Sequence, residues 1–85
     1  MKLLETSKFA KLRKRLRDED ERAALKAAVG EILDDPQIGK KLKGELAHLR
    51  SHRFTVRGQA CRVIYHSDGD IITLFSFGPR QGIHK

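Results

Sequence analysis

Apolar residues recur with two different periods along this chain, and the change of period divides it into a helical part and a strand part. In the first part the spacing is helical. Thr6 or Ser7 supplies a cap for a helix whose Phe9, Leu12 and Leu16 fall on one stripe, with Lys8, Lys11, Arg13, Lys14, Arg15 and Arg17 covering the rest of it. A second helix is predicted from about Asp18. Asp18 and Glu21 have capping-box spacing, and the acids from Asp18 to Glu21 suit the positive end of a helix. Ala24, Leu25, Ala28, Val29 and Ile32 then form one apolar face, until Pro36 stops the helix. Ahead of both helices, Lys2 to Glu5 reads as a short edge strand.

Downstream the period falls to two. Strands are predicted at about 49–57, 60–67 and 71–78, with Ser67 to Asp70 as a hairpin turn by composition. Residues 36–47 read as a basic connecting loop containing two glycines. Alternation places Arg53, Thr55 and Arg57 on one face of their strand and Phe54 and Val56 on the other. The apolar side of a two-helix hairpin must cover something, and this sheet is what the chain offers. The expected fold is therefore α+β: an N-terminal helical hairpin packed on a small antiparallel sheet, in the order β-α-α-β-β-β. The 85 residues are read as one domain, 1–85.

Charge changes this picture, because it is unevenly placed. Residues 1–36 carry nine Lys and Arg against eight Asp and Glu, a net of +1, whereas residues 37–85 carry nine against three, a net of +6. The first part reads as a self-neutralised helical support and the second as a face that meets a polyanion. No apolar run approaches the roughly 20 residues of a membrane-spanning helix, and Met1 to Glu5 is too short and too soon charged for a signal peptide. The single Cys61 forms no internal disulfide, so a cytoplasmic location is expected.

The candidate chemistry lies in the strands. Arginine is an unusual strand residue, and several kept within a small sheet suggest a surface that holds phosphate. Hairpin pairing is expected to bring Arg57 and Arg62 together, with Arg80 where the chain leaves the sheet. Ordinary pairing with acids is a weak alternative, since residues 37–85 offer only Glu45, Asp68 and Asp70. His84 is the candidate for proton transfer at neutral pH, set against the plainer reading of a frayed terminal residue. His48, His52 and His66 read as sheet-surface residues. No histidine pair has zinc-motif spacing, and no Gly-rich phosphate loop or Ser-His-Asp pattern is present, so neither metal nor cofactor is expected.

The run Pro36-Gln37-Ile38-Gly39-Lys40-Lys41-Leu42-Lys43-Gly44, then Arg62-Val63-Ile64-Tyr65, then Gly78-Pro79-Arg80 resembles the RelE/ParE superfamily of toxins from type II toxin–antitoxin systems. The resemblance covers nearly the whole chain and is closest to the RelE-like branch. It implies an endoribonuclease that cleaves mRNA in the ribosomal A site without a metal, and an acidic, partly disordered antitoxin as cognate partner. On that resemblance Arg62 and Arg80 stabilise the phosphate, His84 acts as general acid or base, and Arg53 and Arg57 orient the RNA. Lys40, Lys41 and Lys43 contact ribosomal RNA. Thr55 stands where some relatives carry a second lysine, and Cys61 where an aromatic is common. Two other readings compete: a ParE-like toxin that inhibits DNA gyrase and cleaves nothing, and a non-catalytic RNA-binding module.

Overall fold

In the computed structural model, which describes residues 2–79, the chain runs β1 (Lys2–Glu5), α1 (Ser7–Arg15), α2 (Glu19–Asp34), β2 (Lys40–Lys41), a 3-10 turn (Gly44–Leu46), β3 (Arg50–Val56), β4 (Gln59–Asp68) and β5 (Ile71–Pro79). Both helices start where the capping residues placed them. Thr6 Oγ1 accepts the Phe9 amide at 3.1 Å and donates to the Phe75 carbonyl at 3.0 Å, so one hydroxyl caps α1 and ties it to the sheet. Asp18 caps α2 through the Asp20 amide at 3.1 Å, and the helix closes at Asp34 just ahead of Pro36.

The five strands lie in the order β1-β5-β4-β3-β2. The sheet is mixed rather than wholly antiparallel. β1 pairs in parallel with β5, because the helical hairpin carries the chain across the sheet before the three long strands return as antiparallel neighbours. The basic loop expected at 36–47 contains structure of its own, the short strand β2 on the outer edge of β3 and the 3-10 turn.

One face of the sheet is covered, α2 lying over β3 and α1 over β5. The core between the layers is built from Phe9, Leu25, Ala28 and Ile32 of the helices and Val63, Tyr65, Ile72 and Leu74 of the strands. Phe9 meets Phe77 edge to face at 5.1 Å, which locks α1 to β5. Among the described residues no helix lies on the other face of the sheet, and the strand residues that alternate onto it include Ser51, Arg53, Thr55, Arg62 and Ile64.

β3 corrects two expectations. β3 stops at Val56, and Arg57 with Gly58 forms the two-residue hairpin turn, with φ of 51° and 81°. Left-handed backbone at both central positions gives the turn a twist that matches the strands. Arg57 is thus a turn residue and not part of the strand face. His52, expected on the sheet surface, is 9% exposed beneath α2, with Nε2 2.7 Å from Glu31 Oε1.

Candidate functional site

The open sheet face sets two arginines opposite each other. Arg53 and Arg62 are direct cross-strand partners in the β3–β4 register. Directly opposite residues of antiparallel strands have Cβ atoms about 5 Å apart, a spacing at which like charges repel. This is a different pair from the expected Arg57 and Arg62. The reason is the register: Val56 meets Gln59, so Arg57 lies beyond the last pair while Arg62 falls three residues into β4. Among the described residues no carboxylate forms an ion pair with Arg53 or Arg62.

Beside this pair lies a concavity of about 430 Å³, walled by Arg53, Arg62, Ser51 and Lys40 with Ile38 and Leu42 along its loop side. Lys40 reaches it because β2 pairs with β3 and sets Lys40 opposite Ser51, two residues from Arg53 on the same face. Lys41, opposite Arg50, alternates to the other side, and Lys43 precedes the 3-10 turn. Of the basic residues singled out in the sequence, three therefore converge: Lys40, Arg53 and Arg62. Arg80 and His84 lie outside the described residues.

Arg57 is placed elsewhere. Its guanidinium is 2.6 Å from Asp18 Oδ2 and 3.2 Å from Asp20 Oδ2, bracing the β3–β4 turn against the start of α2. The hydrogen bond to Asp18, with the charges of both acids, raises its pKa above the ordinary arginine value. The acids that pair it come from the helical half of the chain, which a count within residues 37–85 misses. The same holds for Glu31 with His52. The helical half is therefore not self-neutralised: α2 lends acids to the sheet, and α1 keeps Lys8, Lys11, Lys14 and Arg15.

Cys61 alternates to the helix side of β4, and burial, with the nearby Glu21 charge, pushes its thiol pKa up. Such a thiol is a poor nucleophile. The His48 and His66 rings meet edge to face at 5.8 Å, and His66 Nδ1 donates to the His48 carbonyl at 2.8 Å.

A second feature has no counterpart in the sequence reading. Between α1, α2 and β1 runs a groove of about 1180 Å³, floored by Leu3, Leu16, Val29 and Leu33. Lys14, Arg17, Arg22 and Lys26 line its rim together with Arg13, which Glu5 pairs at 2.7 Å. Its volume exceeds the roughly 300–1,000 Å³ of a small-molecule site. The signal that would have found it is the surplus of apolar positions on the two helices over those the sheet can cover.

This arrangement of two helices on a five-stranded sheet is shared with toxins of toxin–antitoxin pairs. The chain is similar to the toxin–antitoxin complex RelBE2 from Mycobacterium tuberculosis at 24% identity and a TM-score of 0.73, covering 93% of this chain and 90% of that one. It is similar to the YoeB/ParE toxin from Agrobacterium tumefaciens at 19% identity and a TM-score of 0.77, covering 94% and 99%, and to the isolated RelE toxin of E. coli at 22% and 0.72, covering 92% and 82%. At these identities the likeness is one of fold. No curated protein matches the sequence. The family itself comes from the sequence: residues 3–85 match the model of the ParE-like toxins of type II bacterial toxin–antitoxin systems, and the chain belongs to that family.

Proposed function

We propose that this toxin is an mRNA endonuclease acting on the ribosome, and that its open sheet face holds the scissile phosphate. The observation that carries this reading is the opposition of Arg53 and Arg62 with no acid between them, next to Lys40. Like charges directly opposite across two strands are relieved by an anion, and planar guanidinium forks suit phosphate oxygens. In the reaction the 2′-oxygen attacks the adjacent phosphorus, forming the O2′–P bond as the P–O5′ bond breaks. The products are a 2′,3′-cyclic phosphate and a 5′-hydroxyl. The 2′-OH proton passes to a base, and an acid returns a proton to the leaving 5′-oxygen. Negative charge gathers on the phosphoryl oxygens in the transition state, where Arg62 and Arg80 stabilise it. His84 supplies the proton transfer, since arginine holds its proton too tightly. Arg53 and Lys40 orient the RNA, Lys41 and Lys43 contact ribosomal RNA, and Arg57 braces the turn instead of touching substrate.

The antitoxin takes the other side of the molecule. The helical groove combines an apolar floor with a cationic rim, the surface that an acidic amphipathic helix complements by its apolar stripe and its flanking carboxylates.

Expression in cells followed by mapping of mRNA 5′ ends tests the reading: codon-phased cuts that vanish in Arg62→Ala are expected. A second reading, gyrase inhibition without cleavage, is favoured by the ParE-like family match and by Thr55 in place of a second lysine on the open face. Growth arrest with intact mRNA and an induced DNA-damage response would establish it and sink the first.

A further inference from the structure

A fully buried tyrosine sits directly behind this face. Tyr65 belongs to the core and is 0% exposed, yet it carries a hydroxyl that must be satisfied. It is satisfied by one short stretch of loop: the Tyr65 hydroxyl donates to the Pro36 carbonyl at 2.7 Å and accepts the Gly39 amide at 2.9 Å. Burial is the largest influence on the phenol and pushes its pKa up, so it stays protonated and keeps its donor at neutral pH. Arg50, the cross-strand partner of Tyr65, holds the same stretch from its other side, donating Nη1 to the Gly39 carbonyl at 2.7 Å. The fit leaves no slack. A Cβ on Gly39 would stand 2.7 Å from the Tyr65 oxygen and 2.8 Å from its Cε1, with Arg50 Cβ at 3.1 Å. The next residue is Lys40, which walls the concavity beside Arg53 and Arg62.

We propose that Tyr65, with Arg50, is a positioning residue for Lys40: the buried phenol clamps the Pro36–Gly39 turn and so fixes the third cation of the phosphate-holding face. This rests on the reading that the face binds RNA. A lysine on a loose loop must be ordered when the ligand arrives, at a cost in affinity, whereas one anchored through its own backbone to the core is ordered beforehand. Tyr65 never touches the ligand. Its effect passes through one peptide unit, from the Gly39 amide to Lys40, and it differs from plain core packing because the ring alone would fill the core.

Tyr65→Phe keeps the ring and removes the hydroxyl, and Gly39→Ala attacks the same clamp from the loop side. Two readouts are needed. Amide exchange of Gly39, compared with amides of β4 and β5, reports the clamp itself and is expected to quicken at least tenfold in Tyr65→Phe while the strand amides hold. Affinity for a single-stranded RNA made uncleavable by 2′-O-methyl groups, measured across salt concentrations, reports the consequence. Each variant is expected to bind up to tenfold more weakly at low salt and to lose about 0.7 from the salt slope, the share of one phosphate contact on a single strand. Lys40→Ala should do the same, and Tyr65→Phe added to Lys40→Ala should cost nothing more, because both act through one ammonium. Unchanged Gly39 exchange, unchanged RNA affinity, or losses that add in the double variant would overturn the positioning role. If the wild-type protein itself shows no salt-dependent RNA binding, the RNA reading falls first and the positioning role falls with it. The two failures are thereby told apart by the wild-type curve.

Discussion

The open sheet face and the helical groove are both basic, but they hold their charge over different floors. On the sheet face, Arg53 and Arg62 oppose each other beside Ser51 and Lys40, over a surface that is polar and apolar in about equal parts. In the groove, cations rim a floor of leucine and valine. Converging cations over a smaller apolar area than the groove's suit a ligand that is all charge and little apolar surface, such as a phosphodiester. Cations around an apolar floor suit an amphipathic segment, which gains from burial and uses charge to set its register. A third set of basic side chains already has acidic partners and braces the fold: Arg13 with Glu5, Arg57 with Asp18, and the His52 ring with Glu31. Net charge alone does not distinguish these three uses, whereas the partner of each cation does.

The largest expected effect breaks the comparison, because it acts behind both regions. Phe9 is 1% exposed, lines the floor of the groove and packs on Phe77 of the sheet. Phe9→Ala should cost roughly 3–5 kcal/mol of stability by loss of transfer energy and formation of a cavity, read by chemical denaturation. In a domain of ordinary marginal stability both functions should fail together.

Arg62→Ala should separate them. Loss of one transition-state donor is expected to lower the cleavage rate by about 10²–10³, measured on programmed ribosomes. The same change removes a like-charge opposition worth up to ~1 kcal/mol, so stability should hold or rise while activity collapses. Antitoxin affinity should not move. An arginine that served only the fold would show the reverse.

Val29→Glu is the mirror experiment. Val29 is half-buried on the groove floor, and a carboxylate there would meet both the apolar stripe and the acids of the partner helix. A penalty of about 2 kcal/mol, or roughly thirtyfold in Kd, is expected for antitoxin binding by titration calorimetry. RNA affinity should stay at the wild-type value. If Val29→Glu weakened RNA binding and spared the antitoxin, the assignment of the two regions would be reversed.

Much of this arrangement was legible in the sequence, and the misreadings share one cause. The helices, their caps and the three long strands follow from local spacing, because Thr6, Asp18 and Pro36 act on their immediate neighbours. The exposed face of Arg53 and Thr55 follows from alternation against Phe54 and Val56. Register is not local. Whether Arg62 meets Arg53 or Arg57 depends on where the hairpin turns, and Arg57, a residue with no special turn preference, took the left-handed position beside Gly58. Charge pairing across the two halves was equally invisible: Asp18, Asp20 and Glu31 look like a helix neutralising itself until α2 is laid over β3. The groove and the Tyr65 clamp need two or three elements placed together before either exists: Pro36 read only as a helix stop and Gly39 only as a loop glycine until Tyr65 was set against them.

The smallest effects separate the two regions by pH, since each carries a group shifted by its surroundings. Tyr65 stands behind the sheet face with its pKa raised above the ordinary 10.0, chiefly by burial. The folded protein thus holds this proton more tightly than the unfolded chain, so the contribution to stability is complete below pH 10 and is lost as pH rises through the folded value. Glu5 stands at the groove with its pKa lowered from 4.5, first by the hydrogen bond from Arg13. Here the sign is opposite: the contribution is present above pH 4.5 and is lost as pH falls through the folded value. Denaturation midpoints across pH should therefore show an alkaline limb that flattens in Tyr65→Phe and a shallower acid limb that flattens in Glu5→Gln. The acid limb is the weaker because the Glu5–Arg13 pair is exposed to solvent and screened by salt, so 0.5 M NaCl should erase it and leave the alkaline limb standing. An acid limb that survived high salt would mean that the groove is more tightly closed around Glu5 than its exposure indicates, and less open to a partner.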